Sequence, residues 1–397
     1  MSMRLSTNTI CSRRRNDGLA LVAVLWLVLV LTAIVATAGR TSRLDTKVRV
    51  SRVDEVRCRW AGLGGVEKAV GLLNEDKTET ETDCLTDLWS DNAEDLNDIL
   101  LEECLLNIKV VDEASKLNIN TATREQLITL PYITDEIIDA IIDWRDTDEE
   151  ITVSGAEAGY YLNLPYPYLT RNEPFRTIRE LLMVKGITKE LLYGEDLNFN
   201  DELDYNENDG DQSLPYDNGD GILDRGWIAY LTCYSAGSSS GSTTGQTSTQ
   251  QSNTQPSNTQ PSSTQPSGTT QTSSTTAGAG GMVNVNTASS LVLAALMGGV
   301  YLAWQAGEAI VAYREMLLYG IEDVQELQQI EGMSNNLFDQ ISESITVSSD
   351  VYMIRCWATA ARGADYSDYG LTVVTEAVVN RSESPCQILY WYQGAAN

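Results

Sequence analysis

The chain lacks histidine altogether, although it is 397 residues long. Histidine is the usual general acid–base residue near neutral pH and the commonest transition-metal ligand, so histidine-dependent triads and histidine-ligated zinc sites are excluded. An enzyme built on this chain would need a pair of carboxylates for its chemistry. No such pair stands out from the acidic background, and we expect a structural protein rather than an enzyme.

Basic residues are also scarce: 27 lysines and arginines face 56 aspartates and glutamates, for a formal net charge of -29. Nucleic-acid-binding surfaces need clustered lysine and arginine, so this balance argues against a phosphate-binding surface. It suits an extracytoplasmic protein or one that binds cations. The length allows two or three domains, and an apolar fraction of 42% is enough for hydrophobic cores.

The seven cysteines include no C-x-x-C pair, so neither a zinc knuckle nor a thioredoxin-like motif is expected. If the chain is exported, Cys84 with Cys104 and Cys356 with Cys386 are the candidate disulfides. The alternative is that these are buried free thiols, because the sequence does not fix the connectivity.

An uncharged segment of twenty residues runs from Leu19 to Ala38. As a helix it would span about 30 Å, the thickness of a bilayer core. A cleaved secretory signal is the alternative, since Ala36-Thr37-Ala38 could serve as a cleavage site. However, apolar residues recur three or four apart from Val48 to Leu73, which predicts an amphipathic continuation of the same helix. The flanking charges do not decide its orientation, but the acidic bulk downstream favours export.

At the start of this segment three arginines, Arg13 to Arg15, precede Gly18, and an uncharged helix beginning L-A-L-V-A follows from Leu19. This arrangement resembles the class III signal of type IV pilins and type II secretion pseudopilins. The resemblance implies that a prepilin peptidase cuts between Gly18 and Leu19 and that the new amino terminus is methylated. The leader would be removed and the anchor kept.

One position departs from the usual pattern of that family. Most members carry a glutamate at the fifth mature position, where this chain has Ala23. Among pilins and pseudopilins, the absence of this glutamate is typical of one group, the general secretion pathway protein K family, whose members are minor pseudopilins placed at the filament tip. A divergent pilin or an ordinary single-pass anchor is the alternative.

Two helical hairpins are predicted further along the chain. In Lys116–Asp146, Thr121 or Thr123 can cap a first helix, Pro131 breaks it and Thr134 caps a second. A related phrase, V-N-V-N-T-A, opens at Val283 and is followed by helices through Arg314, which indicates a diverged internal repeat.

The repeats resemble the helix-hairpin-helix of competence DNA-binding proteins, which makes a membrane-anchored DNA-uptake protein the alternative function. The turns of this chain, P-Y-I and G-G-V-Y-L-A-W, differ from a glycine-rich phosphate-binding turn. Proline has no N–H to donate, and the surrounding acidic residues would repel phosphate. We therefore expect a scaffold or protein-interaction module.

Between the hairpins, within Ser154–Thr188, the phrases G-A-E, Y-Y, N-x-P-F and E-L-x-x-V-x-G-I-T occur in that order. This segment resembles the large helical insertion of protein K. The fold class expected is therefore α+β: a pilin-like long N-terminal helix packed on a small antiparallel sheet, with a large inserted, mostly α-helical domain. That domain would contain two helix-hairpin-helix-like (SAM-like) repeats.

The domain boundaries follow from these segments and from a Ser/Thr/Gln-rich stretch that cannot bury apolar surface and reads as a flexible tether. They are 1–18, leader; 19–74, transmembrane and amphipathic helix; 75–115, acidic loop and first strand; 116–234, first hairpin repeat and calcium loop; 235–281, linker; 282–344, second hairpin repeat; and 345–397, C-terminal strands rich in β-branched residues.

Between Glu195 and Asp224 there are eleven acidic residues and no basic one. Calcium takes six to eight oxygen ligands and would neutralise such a loop, so we expect a structural calcium site that orders it. An EF-hand-like register gives the ligands Asp196, Asn198, Asn200, the carbonyl of Glu202, Asp204 and Glu207. A second set is Asp217, Asn218, Asp220 and Asp224, and secondary candidates are Asp146 and Asp148. The alternative is a solvated acidic loop.

The resemblance to protein K implies a function and a set of partners. The chain would cap the tip of the type II secretion pseudopilus and help to initiate filament assembly for protein export across the outer membrane. Its partners would be other minor pseudopilins, the inner-membrane secretion platform and prepilin peptidase. It would be a single-pass inner-membrane protein with the bulk of the chain in the periplasm.

Overall fold

The computed structural model describes residues 17–196, 203–210, 212, 217–235, 281–362, 368–383 and 385–395. Within them the α-helices are α1 (Asp17–Glu79), α2 (Ala93–Leu96), α3 (Arg124–Leu127), α4 (Asp135–Arg145), α5 (Ala158–Tyr161), α6 (Lys189–Tyr193), α7 (Ser290–Leu296), α8 (Tyr301–Arg314) and α9 (Asn335–Ile341). The strands are β1 (Ile99–Leu101), β2 (Cys104–Asp112), β3 (Leu117–Asn118), β4 (Leu231–Thr232), β5 (Val283–Asn284), β6 (Ile345–Thr346), β7 (Val351–Arg362), β8 (Asp368–Asn380) and β9 (Gln387–Ala395).

The first helix, α1, is 63 residues long and has two halves with different surroundings. The apolar side chains from Leu21 to Val35 are exposed, and the helix is long and apolar enough to cross a membrane. From Cys58 to Leu73 one face of the helix is buried against the sheet. The helix and sheet approach closely at Gly65, where a Cβ would overlap the sulfur of Cys356. The sequence pattern predicted both halves correctly.

Five antiparallel strands form the main sheet, in the order β1-β2-β7-β8-β9. Side chains of β2 alternate between buried and half-buried, as expected for a strand with one face on a core. Ile108 of β2 lies opposite Cys356 of β7, so a strand near residue 108 pairs with strands more than two hundred residues later. This confirms the antiparallel sheet expected from the early and late β-rich segments, with the helical region inserted between them.

The inserted region contains two copies of one unit, residues 117–232 (the first repeat) and 283–346 (the second repeat). Each begins and ends with a short strand, and the two strands pair in parallel: β3 with β4 and β5 with β6. Each copy also contains a six-residue 3₁₀ helix with a capping box: Ile178–Met183 in the first copy and Val324–Gln329 in the second. One continuous hydrophobic core includes buried residues from both copies. The internal repeat predicted from the sequence is therefore present.

Equivalent hydrogen bonds occur within each of the two copies. Asn120 exchanges two hydrogen bonds with the backbone of Phe175, and Asn286 does the same with Ile321. The arginine at the end of the second helix of each copy donates to two carbonyls of the N-x-N-T-A turn. These pairs are Arg145 with Ile119 and Ala122, and Arg314 with Val285 and Ala288.

Candidate functional site

The processing site predicted at Gly18 and Leu19 lies in the first turns of α1. Their backbone is helical, whereas their side chains and residues 1–16 lie outside the described part of the chain. Cleavage between Gly18 and Leu19 stays a prediction.

The first predicted calcium-ligand set is only partly described. Asn198, Asn200 and Glu202 lie outside the described residues. Asp196 and Glu207 are buried, at 5% and 2% exposure. Glu207 accepts a hydrogen bond from the backbone N–H of Asp204 and so caps the short helix that contains it. The ion site at this ligand set stays a prediction.

The second predicted set is held by hydrogen bonds within the loop. The carboxylate of Asp217 accepts hydrogen bonds from the backbone N–H groups of Asp209, Gly210 and Gly219. Asn218 donates from Nδ2 to Asp224 Oδ2 at 3.2 Å. In the described part of the loop these oxygens do not gather three carboxylates around one point, whereas two such clusters occur elsewhere among the described residues.

The backbone of the same loop is pinned by Glu195. Its carboxylate accepts hydrogen bonds from the N–H groups of Asn218 at 3.3 Å and Asp224 at 3.0 Å. Burial raises the pKa of this carboxyl. The carboxylate of Asp220 likewise accepts a hydrogen bond from the backbone N–H of Ile222 at 2.8 Å.

Asp143, Asp146 and Glu157 (the Glu157 cluster) bring three carboxylates together in the first repeat, with oxygens all within 4.8 Å of one another. Asp143 lies in the last turn of α4 and Asp146 is its C-cap residue, so spacing of three positions places both on one side of the helix. Glu157 immediately precedes α5. Helix α4 and the loop that follows it therefore converge on one point.

Glu157 is the unusual member of this cluster. Glu157 is 2% exposed, and among the described residues neither of its carboxylate oxygens has a hydrogen-bond partner. Oδ1 of Asp146 is also buried without a partner. Burial, followed by the charges of Asp143 and Asp146, raises the pKa of Glu157 to about 7. Buried carboxylates are normally paired or hydrogen-bonded, so this arrangement requires a proton or a cation.

The loop around the cluster is shaped to admit these carboxylates. A Cβ on Gly155 would overlap the carboxylate of Asp143, so only glycine fits there in this arrangement. Lys185 donates from Nζ to the carbonyls of Ser154 at 3.0 Å and Gly155 at 3.2 Å, which fixes this segment. Asp143 itself accepts a hydrogen bond from the backbone N–H of Thr152 at 3.2 Å.

The sequence identified only part of this cluster. Asp146 was a secondary candidate and lies in it, whereas Asp148 lies beside it and its carboxylate accepts a hydrogen bond from the N–H of Glu150. Asp143 and Glu157 were missed. The signals that could have revealed them are the D-W-R-D spacing at the end of a helix and the glutamate of the G-A-E phrase.

Asp76, Asp83 and Asp87 form a second cluster of three carboxylates, and this one includes an arginine (together, the Arg381 cluster). Arg381 donates to Asp76 at 3.1 Å and also pairs with Asp83, and all of these residues are buried. Burial and the neighbouring Asp87 raise the pKa of Asp76 to about 7, against the opposing effect of Arg381. This cluster lies where the end of α1 meets the turn after β8 and fastens the helix to the sheet.

Neither disulfide predicted from the sequence is formed. The six cysteines in the described part of the chain are free thiols. Cys84 contacts Thr86 and Asp87, and Cys386 lies near Asn74 instead of Cys356.

The sulfur of Cys104 lies beside that of Cys58, at 3.7 Å. Helix α1 and the sheet thus bring Cys104 next to Cys58, a cysteine 46 positions away in the sequence.

Two family models described as type II secretion system protein K match this chain, one over residues 105–193 and the other over residues 283–348. The first match contains the Glu157 cluster, and the two matches cover most of the two repeats. The residues between 193 and 283, which include the acidic loop, lie outside both matches.

Curated relatives carry the same description. The type II secretion system protein K of Klebsiella pneumoniae is 26% identical over 193 residues, which is 44% of this chain and 59% of that protein. The protein of the same name from Pseudomonas aeruginosa is 27% identical over 44% of this chain and 58% of that protein. That of Aeromonas hydrophila is 39% identical over 71 residues, 18% of this chain and 22% of that protein. The matched region thus spans somewhat more than half the length of the first two relatives.

A solved structure has a similar fold. A chain in the crystal structure of the GspK-GspI-GspJ complex from the enterotoxigenic Escherichia coli type 2 secretion system superimposes with a TM-score of 0.55 at 14% identity. The superposition covers 87% of this chain and 99% of that chain, so the long helix, the sheet and the inserted helices belong to one shared fold. The family models and the three relatives thus agree in one description: over both repeats this chain is similar to the type II secretion system protein K family, and its fold is similar to that of a chain in the GspK-GspI-GspJ complex.

Proposed function

We propose that this chain is a minor pseudopilin that caps the tip of a type II secretion pseudopilus and helps to initiate its assembly. The observation that carries this proposal is the combination of an exposed apolar helix continuous with a pilin-like sheet and a large insertion matched by the protein K family. Such an insertion is too wide to stack repeatedly along a thin filament. A position at the end of the filament accommodates it, and the role is structural, not enzymatic.

The proposed partners follow from the same family. The similar solved chain comes from a complex of three proteins, GspK, GspI and GspJ. We infer that this chain likewise assembles with two other minor pseudopilins, contacts the inner-membrane platform and is processed by prepilin peptidase. Its apolar helix would anchor it in the inner membrane, with the sheet and the insertion in the periplasm.

We also propose that the two repeats are helix-hairpin-helix-like (SAM-like) units that have lost any role in binding nucleic acid. Support comes from the first turn, where Pro131 has no N–H to donate and its carbonyl accepts a hydrogen bond from the indole of the buried Trp227 at 2.8 Å. The exposed residues that follow include Asp135 and Glu136, whose carboxylates would repel a phosphate. The net charge of -29 also disfavours DNA uptake as the function.

The test of the main proposal is a glycine substitution at the processing site in the cells that make this protein. Gly18→Asp should block cleavage, leave a chain that begins at Met1 and abolish secretion of the system's substrates. The matched control is Gly39→Ser, a glycine of the same helix with open space around it. The proposal fails if Gly18→Asp still secretes normally with an intact leader, as judged by N-terminal sequencing and intact mass.

We further propose a structural calcium ion at the Glu157 cluster. Oxygen donors suit calcium, and the two unpartnered oxygens of Glu157 supply what a cation would need. Asp143, Asp146 and Glu157 would hold the ion, which would join the end of α4 to the loop before α5. The ligand sets expected in the acidic loop stay predictions.

A further inference from the structure

Cys58 and Cys104 are in contact, with their sulfur atoms 3.7 Å apart. Cys58 lies on α1 and is fully buried, and Cys104 is the first residue of β2 and is 2% exposed. Among the six described cysteines they are the pair whose sulfur atoms touch. We propose that these two residues form a disulfide when the chain folds in the presence of a disulfide oxidant, joining the long helix to the sheet.

The backbone around the two cysteines is held by contacts on both sides. Arg57 and Glu103, the residues just before each cysteine, form an ion pair across the same gap. The carbonyl of Glu103 accepts a hydrogen bond from the N–H of Ala361 at 2.8 Å, which ties this point to the next strand of the sheet. The two segments are thus held side by side by contacts that do not involve sulfur. A disulfide would shorten the distance between the two sulfur atoms from 3.7 Å to about 2 Å.

The other described cysteines have surroundings that do not offer a second thiol. Cys84 is engaged with Thr86 and Asp87. Cys356 lies under Gly65 of α1. Cys386 is half-buried near Asn74, and Cys233 is buried. A bond between Cys58 and Cys104 would exclude the predicted pairing of Cys84 with Cys104, because the two pairings share Cys104.

The bond must form during folding, before the thiols are enclosed. Burial raises the pKa of Cys58 to about 12 and also raises that of Cys104, so the folded chain holds both as unreactive thiols. In the unfolded chain one cysteine loses its proton, and the thiolate attacks the disulfide of a dithiol oxidase to give a mixed disulfide. The second thiolate then displaces the oxidase. The two protons lost by the cysteines and two electrons are taken up by the sulfurs of the oxidase, which leaves as a dithiol.

The position of the bond gives it a mechanical consequence. Cys58 is the first buried apolar residue of α1, at the point where the helix leaves the sheet and its apolar half becomes exposed. A covalent link here would fasten the sheet to the anchor at their junction. It would also close a loop between residues 46 positions apart, which restricts the unfolded chain.

Formation of the bond in cells rests on the proposed function, which places the bulk of the chain in an oxidising compartment. The following experiment tests the disulfide separately from the proposed function. The full chain is purified in detergent from its own cells, its thiols are blocked with iodoacetamide under denaturing conditions, and its peptides are mapped by mass spectrometry without reductant. In parallel, the reduced chain is refolded in a mixture of oxidised and reduced glutathione and mapped in the same way.

The expected result in both arms is a cross-linked peptide pair containing Cys58 and Cys104. Cys58→Ser and Cys104→Ser should each abolish it, whereas Cys233→Ser, a buried cysteine outside the pair, should leave it intact. Reductant should break the bond and so lower the melting temperature of the wild type by several degrees. It should leave unchanged the melting temperature of a variant that carries both Cys58→Ser and Cys104→Ser.

A refolded chain with both thiols alkylated, or cross-linked through other cysteines, would overturn the disulfide. If the bond forms on refolding and is absent from cells, the pairing stands and the export of the chain is contradicted. If secretion fails to depend on this protein while the bond is present, only the proposed function falls.

Discussion

The first and second repeats share one hydrogen-bonded framework and differ in what is inserted into it. Thirty positions separate Arg145 from Phe175 in the first repeat, and seven separate the equivalent Arg314 and Ile321 in the second. A second insertion, between α6 and β4, contains the acidic loop, whereas only a short turn joins α9 to β6. Both insertions are acidic. The framework therefore stands without them, and they add charge to one copy only.

The difference shows how the fold tolerates buried carboxylates. Counting from Arg145 and Arg314, the position of Asp143 in the first repeat corresponds to Ala312 in the second, which is exposed. The second repeat thus has no counterpart of the Glu157 cluster. Elsewhere the chain provides its own cation, Arg381, for three buried aspartates. At Glu157 a cation from solution would do what Arg381 does in the other cluster.

The largest effect should come from removing the arginine that occupies the equivalent position in each repeat. Arg145→Ala leaves the carbonyls of Ile119 and Ala122 without donors, and Arg314→Ala does the same to Val285 and Ala288. Each substitution should lower the free energy of unfolding by roughly 2–4 kcal/mol, measured by urea denaturation. Burial lowers the pKa of both arginines, which marks similar surroundings. The equivalence of the repeats is contradicted if one substitution is costly and the other is neutral.

The next effect concerns calcium and the Glu157 cluster. Calcium should raise the melting temperature of the wild type, and Glu157→Gln should weaken calcium binding at least about tenfold, because a carboxylate ligand is lost from a site of three. Binding can be followed by calorimetry or by terbium luminescence excited through Trp144, which lies next to Asp143 in α4.

Two comparisons make this calcium measurement decisive. Glu136→Gln makes the same change at an exposed glutamate in the first turn of α4, outside every predicted ligand set, and it should bind calcium as the wild type does. Magnesium should bind more weakly than calcium, since it retains its waters and demands a stricter geometry. Unchanged calcium affinity in Glu157→Gln would remove the proposed site.

A smaller effect should appear in the dependence of stability on pH. The pKa of Glu157 is raised to about 7 and that of Asp112 to about 6, both first by burial. The folded state therefore binds more protons than the unfolded state between about pH 4 and 7, and the free energy of unfolding falls as the pH rises through that range. Asp76, with a pKa of about 7, adds to the same decline.

Calcium should flatten this decline, because the ion replaces the proton at Glu157. Urea midpoints at intervals between pH 4.5 and 7.5, with calcium and in calcium-free buffer, would measure it. Glu157→Gln should flatten part of the calcium-free profile and leave the contribution of Asp112 and Asp76. Stability that increases with pH across this window would show that these carboxyls are not held protonated.

Patterns within a segment were readable from the sequence, and contacts between segments were not. The proline at position 131 and the cap at Thr134 predicted the second helix of the first hairpin, and the recurring N-x-N-T-A phrase indicated the repeat, because turns and caps depend on residues a few positions apart. The role of Arg145 was missed, since its acceptors are carbonyls 23 and 26 positions away. Glu157 was hidden among 56 acidic residues, and only packing shows which of them is buried without a partner.

The smallest effect should come from a substitution in the acidic loop. This loop is the other insertion that is present in the first repeat and missing from the second. Asp217→Ala removes the acceptor of the backbone N–H groups of Asp209, Gly210 and Gly219 in a largely exposed loop. If these hydrogen bonds are what holds the loop, unfolding free energy should fall by about 1 kcal/mol, calcium affinity should not change, and faster amide hydrogen exchange should be confined to residues 203–224. If Asp217→Ala instead binds fewer calcium ions per chain than the wild type, an ion is assigned to the loop, as the sequence alone predicts. The two acidic insertions would then act alike, each ordered by its own cation, and the hydrogen bonds of Asp217 would be secondary to that ion.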